Sequence, residues 1–448
     1  MEFAIKLAQF LLSLSILIVL HELGHFIPAK LFKTRVEKFY LFFDVKFSLF
    51  KKKIGETEYG IGWLPLGGYV KIAGMIDESM DREQLKGEAQ PWEFRSKPAW
   101  QRLIIMLGGV TVNFILAFII YIGMTFYYGE QYIANDNVKD GVWVNNPTLE
   151  KLGFKTGDIV VSIDGAKVEK FEDINKELFL AKEVVLNRNG EDIKIKFPEN
   201  FISQLMKGKK SSLINLRVPF VVSGYVNKTS NKDAVKIKDI IKSINGTTIK
   251  YADQAAGVLD SLKGKTVPAI ILRNEKEVTI NLKVNDSAKL GLIFPAGLPY
   301  DNIEKLGLYK INKVNYDFFQ SIPVGIKRGC DELASYGKQL RAIFSPSTGA
   351  YKGVGGFGAI FSVFPSTWSW FAFWNITALL SIMLGVMNLL PIPALDGGHV
   401  LFLLYEIISG KKPSDKFLER AQMVGFVLLI TLVLFANGND IYKAIVGK

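Results

Sequence analysis

Long apolar runs lie toward both ends of the chain, and a polar, periodically patterned stretch lies between them. From Phe3 to Leu20 the residues are nearly all apolar, broken mainly by Lys6 and Gln9. Lys6 followed by an apolar stretch resembles a cleavable leader, but no small-x-small site follows, and the run leads straight into His21-Glu22-Leu23-Gly24-His25. Segment 1–29 is therefore expected to be a retained membrane span. Further spans are expected at 103–127, which holds no charge, and from about Trp370 to Pro393 within segment 370–408. The last run, Met423 to Ala436, is short for about 20 residues and is extended back toward Phe417 within segment 409–448. The pattern thus predicts a polytopic α-helical membrane protein with four transmembrane helices.

Segment 30–102 is not featureless. Val45 to Phe50 alternates, Lys51 to Gly55 can turn, and Thr57 to Trp63 continues extended, which predicts a β-hairpin followed by Pro65-Leu66-Gly67-Gly68-Tyr69-Val70. Such a hairpin beside a span is expected to be membrane-associated, its backbone satisfied by protein or an aqueous cavity. The segment carries fourteen Lys/Arg, including Lys51, Lys52 and Lys53, and Lys411, Lys412, Lys416 and Arg420 separate the last two spans. Both loops are expected on the cytoplasmic side, with the termini and the middle region outside.

The middle region repeats itself at a spacing of 81 residues. Lys155-Thr156-Gly157-Asp158-Ile159 through Ser162-Ile163-Asp164-Gly165 aligns with Lys236-Ile237-Lys238-Asp239-Ile240 through Ser243-Ile244-Asn245-Gly246. A short strand closing on Asp-Gly or Asn-Gly reads as a tight turn. With Leu152-Gly153-Phe154 upstream, the first copy resembles a PDZ domain and the second a diverged one, giving two PDZ-like α+β domains at 128–215 and 216–298. Residues 299–369 are expected to be a connector with helices, its Gly353–Gly358 run serving flexibility or close packing; no P-loop context accompanies those glycines.

Composition narrows the class. Hydrophobic residues make up 49% of 448, high for a soluble protein, and the net charge of +12 collects beside the apolar runs without a nucleic-acid motif. Membrane contact is expected and nucleic-acid binding is not. Cys330 is alone, so neither an intrachain disulfide nor a thiolate zinc site can be built.

Candidate chemistry lies in the first run. On a helix, positions i and i+4 share a face, so His21 and His25 can aim at one metal ion while Glu22, one residue on, reaches a water without ligating. Ionisable groups closing an apolar span are costly unless they serve a site. Zinc suits two imidazoles and one carboxylate with a fourth position open. The carboxylate is expected from Asn388-Leu389-Leu390-Pro391-Ile392-Pro393-Ala394-Leu395-Asp396-Gly397-Gly398, where Asp396 ends the third span as His25 ends the first. Gly397 and Gly398 are expected to let the backbone approach the metal. His399 is read as an ordinary hydrogen-bonding histidine.

Together, His21-Glu22-Leu23-Gly24-His25 and Leu395-Asp396-Gly397 resemble the site-2 protease family of intramembrane metalloproteases, and the repeat pair, the Pro65–Val70 loop and the four spans are similar to its bacterial, sigma-E-regulating branch. The resemblance implies one zinc ion held by His21, His25 and Asp396, with Glu22 activating water. It implies that Asn388, Pro393, Asn113, Gly67 and Gly68 lie at the substrate cleft, and that a substrate strand pairs with the hairpin. Gly109-Val110-Thr111-Val112-Asn113 matches a family signature without its proline. The implied substrates are single-span membrane proteins such as anti-sigma factors, and signal-peptide remnants, in the bacterial cytoplasmic (inner) membrane. The repeats would lie in the periplasm, filtering substrates by size or capturing peptides and accessory proteins. Two rivals remain at this stage: a membrane-tethered soluble-type zincin with a downstream Glu or His ligand, and a non-enzymatic PDZ scaffold. Transport is weaker, for want of an inverted repeat.

Overall fold

The computed structural model describes residues 1–65, 67–75, 87–208, 212–227, 229–294 and 300–446. Leu66 of the glycine loop, and Arg82 and Lys86 of the basic loop, lie outside the described residues. The chain divides into a unit of Met1–Gly129, Asn315–Arg341 and Lys352–Lys448, and a second of Glu130–Val314 and Ala342–Tyr351.

Among the described residues, the first unit holds four helices long and apolar enough to cross a membrane: Glu2–Leu31, Ala99–Tyr128, Trp370–Leu389 and Lys416–Ile445. Pro98 opens the second, Gly129 at φ 63° ends it, and the Ser369 side chain caps the third by accepting from the Ala372 N–H. The third stops at Leu389, earlier than its apolar run suggests. Pro391 and Pro393 cannot donate to a helix and push the residues before them toward extended backbone. A separate helix, Asp396–Ser409, then begins, so Asp396 opens a helix rather than closing one.

Between these helices the contacts are small and polar, as suits a medium in which apolar burial gives helices little reason to associate. Gly24 and Gly108 cross backbone to backbone; a Cβ on Gly108 would lie 1.9 Å from the Gly24 carbonyl oxygen. Ser13 and Thr377 hydroxyls share a hydrogen bond at 2.9 Å, and Ser381 Oγ donates to the Asn113 carbonyl at 2.7 Å.

Among the described residues between the first two apolar helices, β1 (Val36–Leu41), β2 (Phe43–Ile54), β3 (Thr57–Leu64) and β4 (Tyr69–Ile72) form a sheet ordered β2-β3-β1-β4. The hairpin is β2–β3, turning at Gly55 with φ 60°. Strands β1 and β4 escape local pattern reading because the parallel β1–β3 pairing is made by residues about twenty apart.

In the connector, Phe318–Ile343 is one helix whose Gly325 and Gly329 face Ile122 and Phe118 of the second apolar helix. The Gly353–Gly358 run is clasped by the fourth. Asp440 accepts from the Gly356 and Ala359 N–H groups, Asn437 from Phe357, and Asn439 donates to the Lys352 and Val354 carbonyls. A side chain on Gly356 would meet Asn437 Oδ1 at 2.5 Å.

Two cores lie in the second unit. One gathers Ile133, Phe154, Val160, Ile163, Ile174 and Leu186; the other gathers Phe220, Ile241, Ile244, Val267 and Ile271. The repeat maps onto equivalent places. Asp158 accepts from the Lys155 N–H and pairs with Arg188; Asp239 accepts from the Lys236 N–H and pairs with Arg273. The chain then returns: Ile311–Val314 pairs antiparallel with Glu130–Ile133, and Ile303, Tyr309 and Ile311 join the first core. The start of the connector thus completes the first repeat, a long-range pairing with no local signature.

Candidate metal centre

His21 and His25 sit one turn apart on the first helix, both buried against the second. Space for the rings comes from Gly109, where a Cβ would lie 2.4 Å from His25 Nε2 and 2.6 Å from His21 Cε1. Asp396 arrives from the first turn of its own helix. The two Nε2 atoms lie 3.3 Å apart, and Asp396 Oδ2 lies 3.4 Å from His21 Nε2 and 3.3 Å from His25 Nε2.

Three atoms with lone pairs therefore converge, and Asp396 Oδ2 is buried without a hydrogen-bond partner. A tetrahedral zinc ion with ligands at about 2.0–2.1 Å holds them about 3.3–3.4 Å apart, so the observed triangle fits that ion. Among the described residues these three form the one His/Cys/Asp/Glu group able to hold a metal, and His399 is not in it.

Each ring is steered through its other nitrogen, as metal-binding imidazoles usually are. His25 Nδ1 lies 2.8 Å from the Ile105 carbonyl; it donates there and leaves Nε2 free. His21 Nδ1 lies 3.0 Å from the Asn113 amide nitrogen, while the buried Asn113 Oδ1 has no partner. The two ends of an amide have the same shape. Turned over, the Asn113 oxygen accepts the His21 Nδ1–H, and both histidines present an Nε2 lone pair to the centre. Asn113 thus lies behind a ring, fully buried.

Glu22 stays out of the ligand triangle. Its carboxylate lies beside the backbone of Val70 on the edge strand β4, and its Cγ is 3.6 Å from where a Cβ on Gly68 would sit. Gly68 makes that approach possible, since a Cβ there would meet Ile18 at 2.5 Å and the Tyr40 carbonyl at 2.7 Å. Gly67 faces the Phe43 ring. The Asn388 amide nitrogen lies 3.2 Å from His21 Nε2, whereas the Pro393 carbonyl packs against Gly425 of the fourth helix. Gly397 and Gly398 face the backbone of Leu389, Leu390, Ile392 and Pro393, not the triangle: a Cβ on Gly397 would meet the Leu390 oxygen at 2.2 Å. The fold-back of that loop, and not a metal contact, requires them.

Ile105 and Val70 act through backbone atoms, which no residue-type signature reveals. Gly108-Gly109 within an apolar run was the available hint of a close crossing.

The model of peptidase family M50, the site-2 proteases, matches residues 9–432. The chain belongs to this family. It is a membrane protein and a metalloprotease whose metal is zinc. This M50 peptidase is 27% identical to the regulator of sigma E protease of Haemophilus influenzae, over 99% of this chain and 100% of that one. It is 25% identical to a metalloprotease of Caulobacter vibrioides, over 100% and 98%. It is 29% identical to a protein of Clostridium perfringens named as a candidate zinc metalloprotease, over 96% and 97%.

Proposed function

We propose that this peptidase hydrolyses peptide bonds of single-span membrane proteins within the bilayer, with His21, His25 and Asp396 as zinc ligands and Glu22 as the general base. The observation that carries the reading is where the ligand triangle lies. His21 is nineteen residues beyond Glu2 on an apolar helix, about 28 Å along its axis at 1.5 Å per residue. Asp396 follows another apolar helix. Both belong near one face of the membrane, and the basic residues of 30–102 and 411–420 favour the cytoplasmic face.

Zinc, when bound, supplies Lewis acidity toward water and the scissile carbonyl. The protein's own groups do the rest. Glu22, beside the Val70 backbone, takes a proton from the attacking water; the C–N bond breaks as C–O forms, and the proton passes to the departing amine nitrogen. A transmembrane substrate must first unwind, and an edge strand can receive the extended backbone. The edge beside the base is β4, the far side of the sheet from β2. A strand laid against Val70 passes Glu22, so pairing is assigned to β4 rather than to the hairpin near 45–63. Asn388, beside His21, would hold the opened backbone, and Gly68 lets β4 lie close against Ile18 and the Tyr40 backbone beside Glu22. The two repeats act outside the cytoplasm as PDZ-like filters of substrate size.

The test is purified full-length protein in detergent with single-span substrates. Glu22→Gln should retain zinc and lose cleavage, and chelator should abolish wild-type cleavage; normal cleavage by Glu22→Gln sinks the assignment. Asp396→Ala with full metal content would instead favour a zincin with another ligand.

A further inference from the structure

The fourth apolar helix, Asp415–Val446, is the least embedded of the four, with about a tenth of its most apolar stretch buried. Among its described residues two are buried, Gln422 and Gly425, and both meet the same short segment. Gln422 Oε1 accepts from the Ala394 N–H at 3.2 Å, a buried bond. Gly425 lies so close to Pro393 that a Cβ would fall 1.5 Å from its carbonyl oxygen. Ala394 has φ 85°, a conformation that costs an L-residue with a Cβ and persists only when its surroundings impose it. Two residues later comes Asp396.

We propose that Gln422 is a positioning residue for the metal centre: its bond to the Ala394 N–H holds the strained Pro393-Ala394 segment, and thereby sets Asp396 Oδ2 at its distance from the two histidines. This inference rests on Asp396 being a zinc ligand. Gln422 is the one buried polar side chain among the described residues of this helix; such a group in an apolar helix calls for a role, and this bond gives one. The first turn after Ala394 is already tied locally, Leu395 N–H to the Ile392 carbonyl and Gly398 N–H to Leu395. A displacement at Ala394 therefore moves Asp396 with it. Ala394 is also the one described non-glycine residue between Ala288 and Val446 at positive φ, so the strain is local to this loop.

The experiment measures zinc affinity of the full-length protein by competition with a chelator, together with thermal stability of the zinc-free form. Gln422→Leu should weaken zinc binding about tenfold, the lower end of what outer partners of metal ligands contribute, and leave the zinc-free melting temperature little changed. Adding Ala394→Gly, which adopts positive φ without support, should restore much of the lost affinity. Unchanged affinity in Gln422→Leu overturns the proposal, and so does a loss that tracks zinc-free stability and is not rescued by Ala394→Gly. Asp396→Ala separates the two levels. If it keeps wild-type affinity, the ligand assignment has failed; if it loses affinity while Gln422→Leu does not, only the positioning role has failed.

Discussion

Asn113 on the second apolar helix faces His21 on the first, its amide 3.0 Å from the ring Nδ1, and neither is exposed to solvent. This bond decides which nitrogen of His21 carries the proton. Removing it with Asn113→Ala leaves the ring free to present Nε2–H to the centre. Zinc affinity should fall about tenfold to a hundredfold, read by chelator competition, with the helix bundle intact by circular dichroism.

Gly109 gives a steric counterpart. A methyl group there would sit 2.4 Å from His25 Nε2, whereas one on Gly123 of the same helix meets nothing within 4 Å. Gly109→Ala should lose zinc and cleavage together. Gly123→Ala should retain both, and an equal effect of the two substitutions would mean that helix propensity, not the ring contact, matters.

Gly68 separates base positioning from metal binding. Its added Cβ would collide with Ile18 and with the Tyr40 carbonyl, lifting β4 away from Glu22. Gly68→Ala should lower the cleavage rate by about a hundredfold, the lower end of what a positioned general base contributes, while zinc content per chain stays at one.

Asp239 makes the second repeat sensitive to acid. Burial alone would raise its pKa, but the Arg273 guanidinium and the Lys236 N–H outweigh it and hold the carboxyl below the ordinary range. A folded-state pKa below the unfolded one contributes stability that is present above about pH 4 and lost as pH falls through the folded value. The protection factors of the 240–244 strand in hydrogen exchange, corrected for the intrinsic rate at each pH, should therefore fall below about pH 4. Asp239→Asn should remove that dependence and cost about 2–3 kcal/mol, less than a fully buried pair because Arg273 is 23% exposed.

Reading the chain from residues recovers what local physics dictates. Apolar runs must satisfy their backbone internally in lipid, so four helices are legible from hydropathy, and His21 and His25 share a face because a helix repeats every 3.6 residues. The Asp-Ile repeat was legible because each copy closes on itself within about ten residues, before its arginine is reached.

What depended on the tertiary structure was every choice among distant partners. The carboxylate of Asp396 meets two rings more than 370 positions earlier, Ile311–Val314 returns to Glu130–Ile133, and Val70 and Ile105 contribute only backbone atoms. A backbone amide or carbonyl is the same in every residue type, so composition and spacing carry no record of which one is used. Local pattern carries the helices, the candidate ligand pair and the candidate base; the packing of glycine-lined helices brings Asp396 to the two histidines, sets the hydrogen-bond partner behind each ring, and puts β4 beside Glu22.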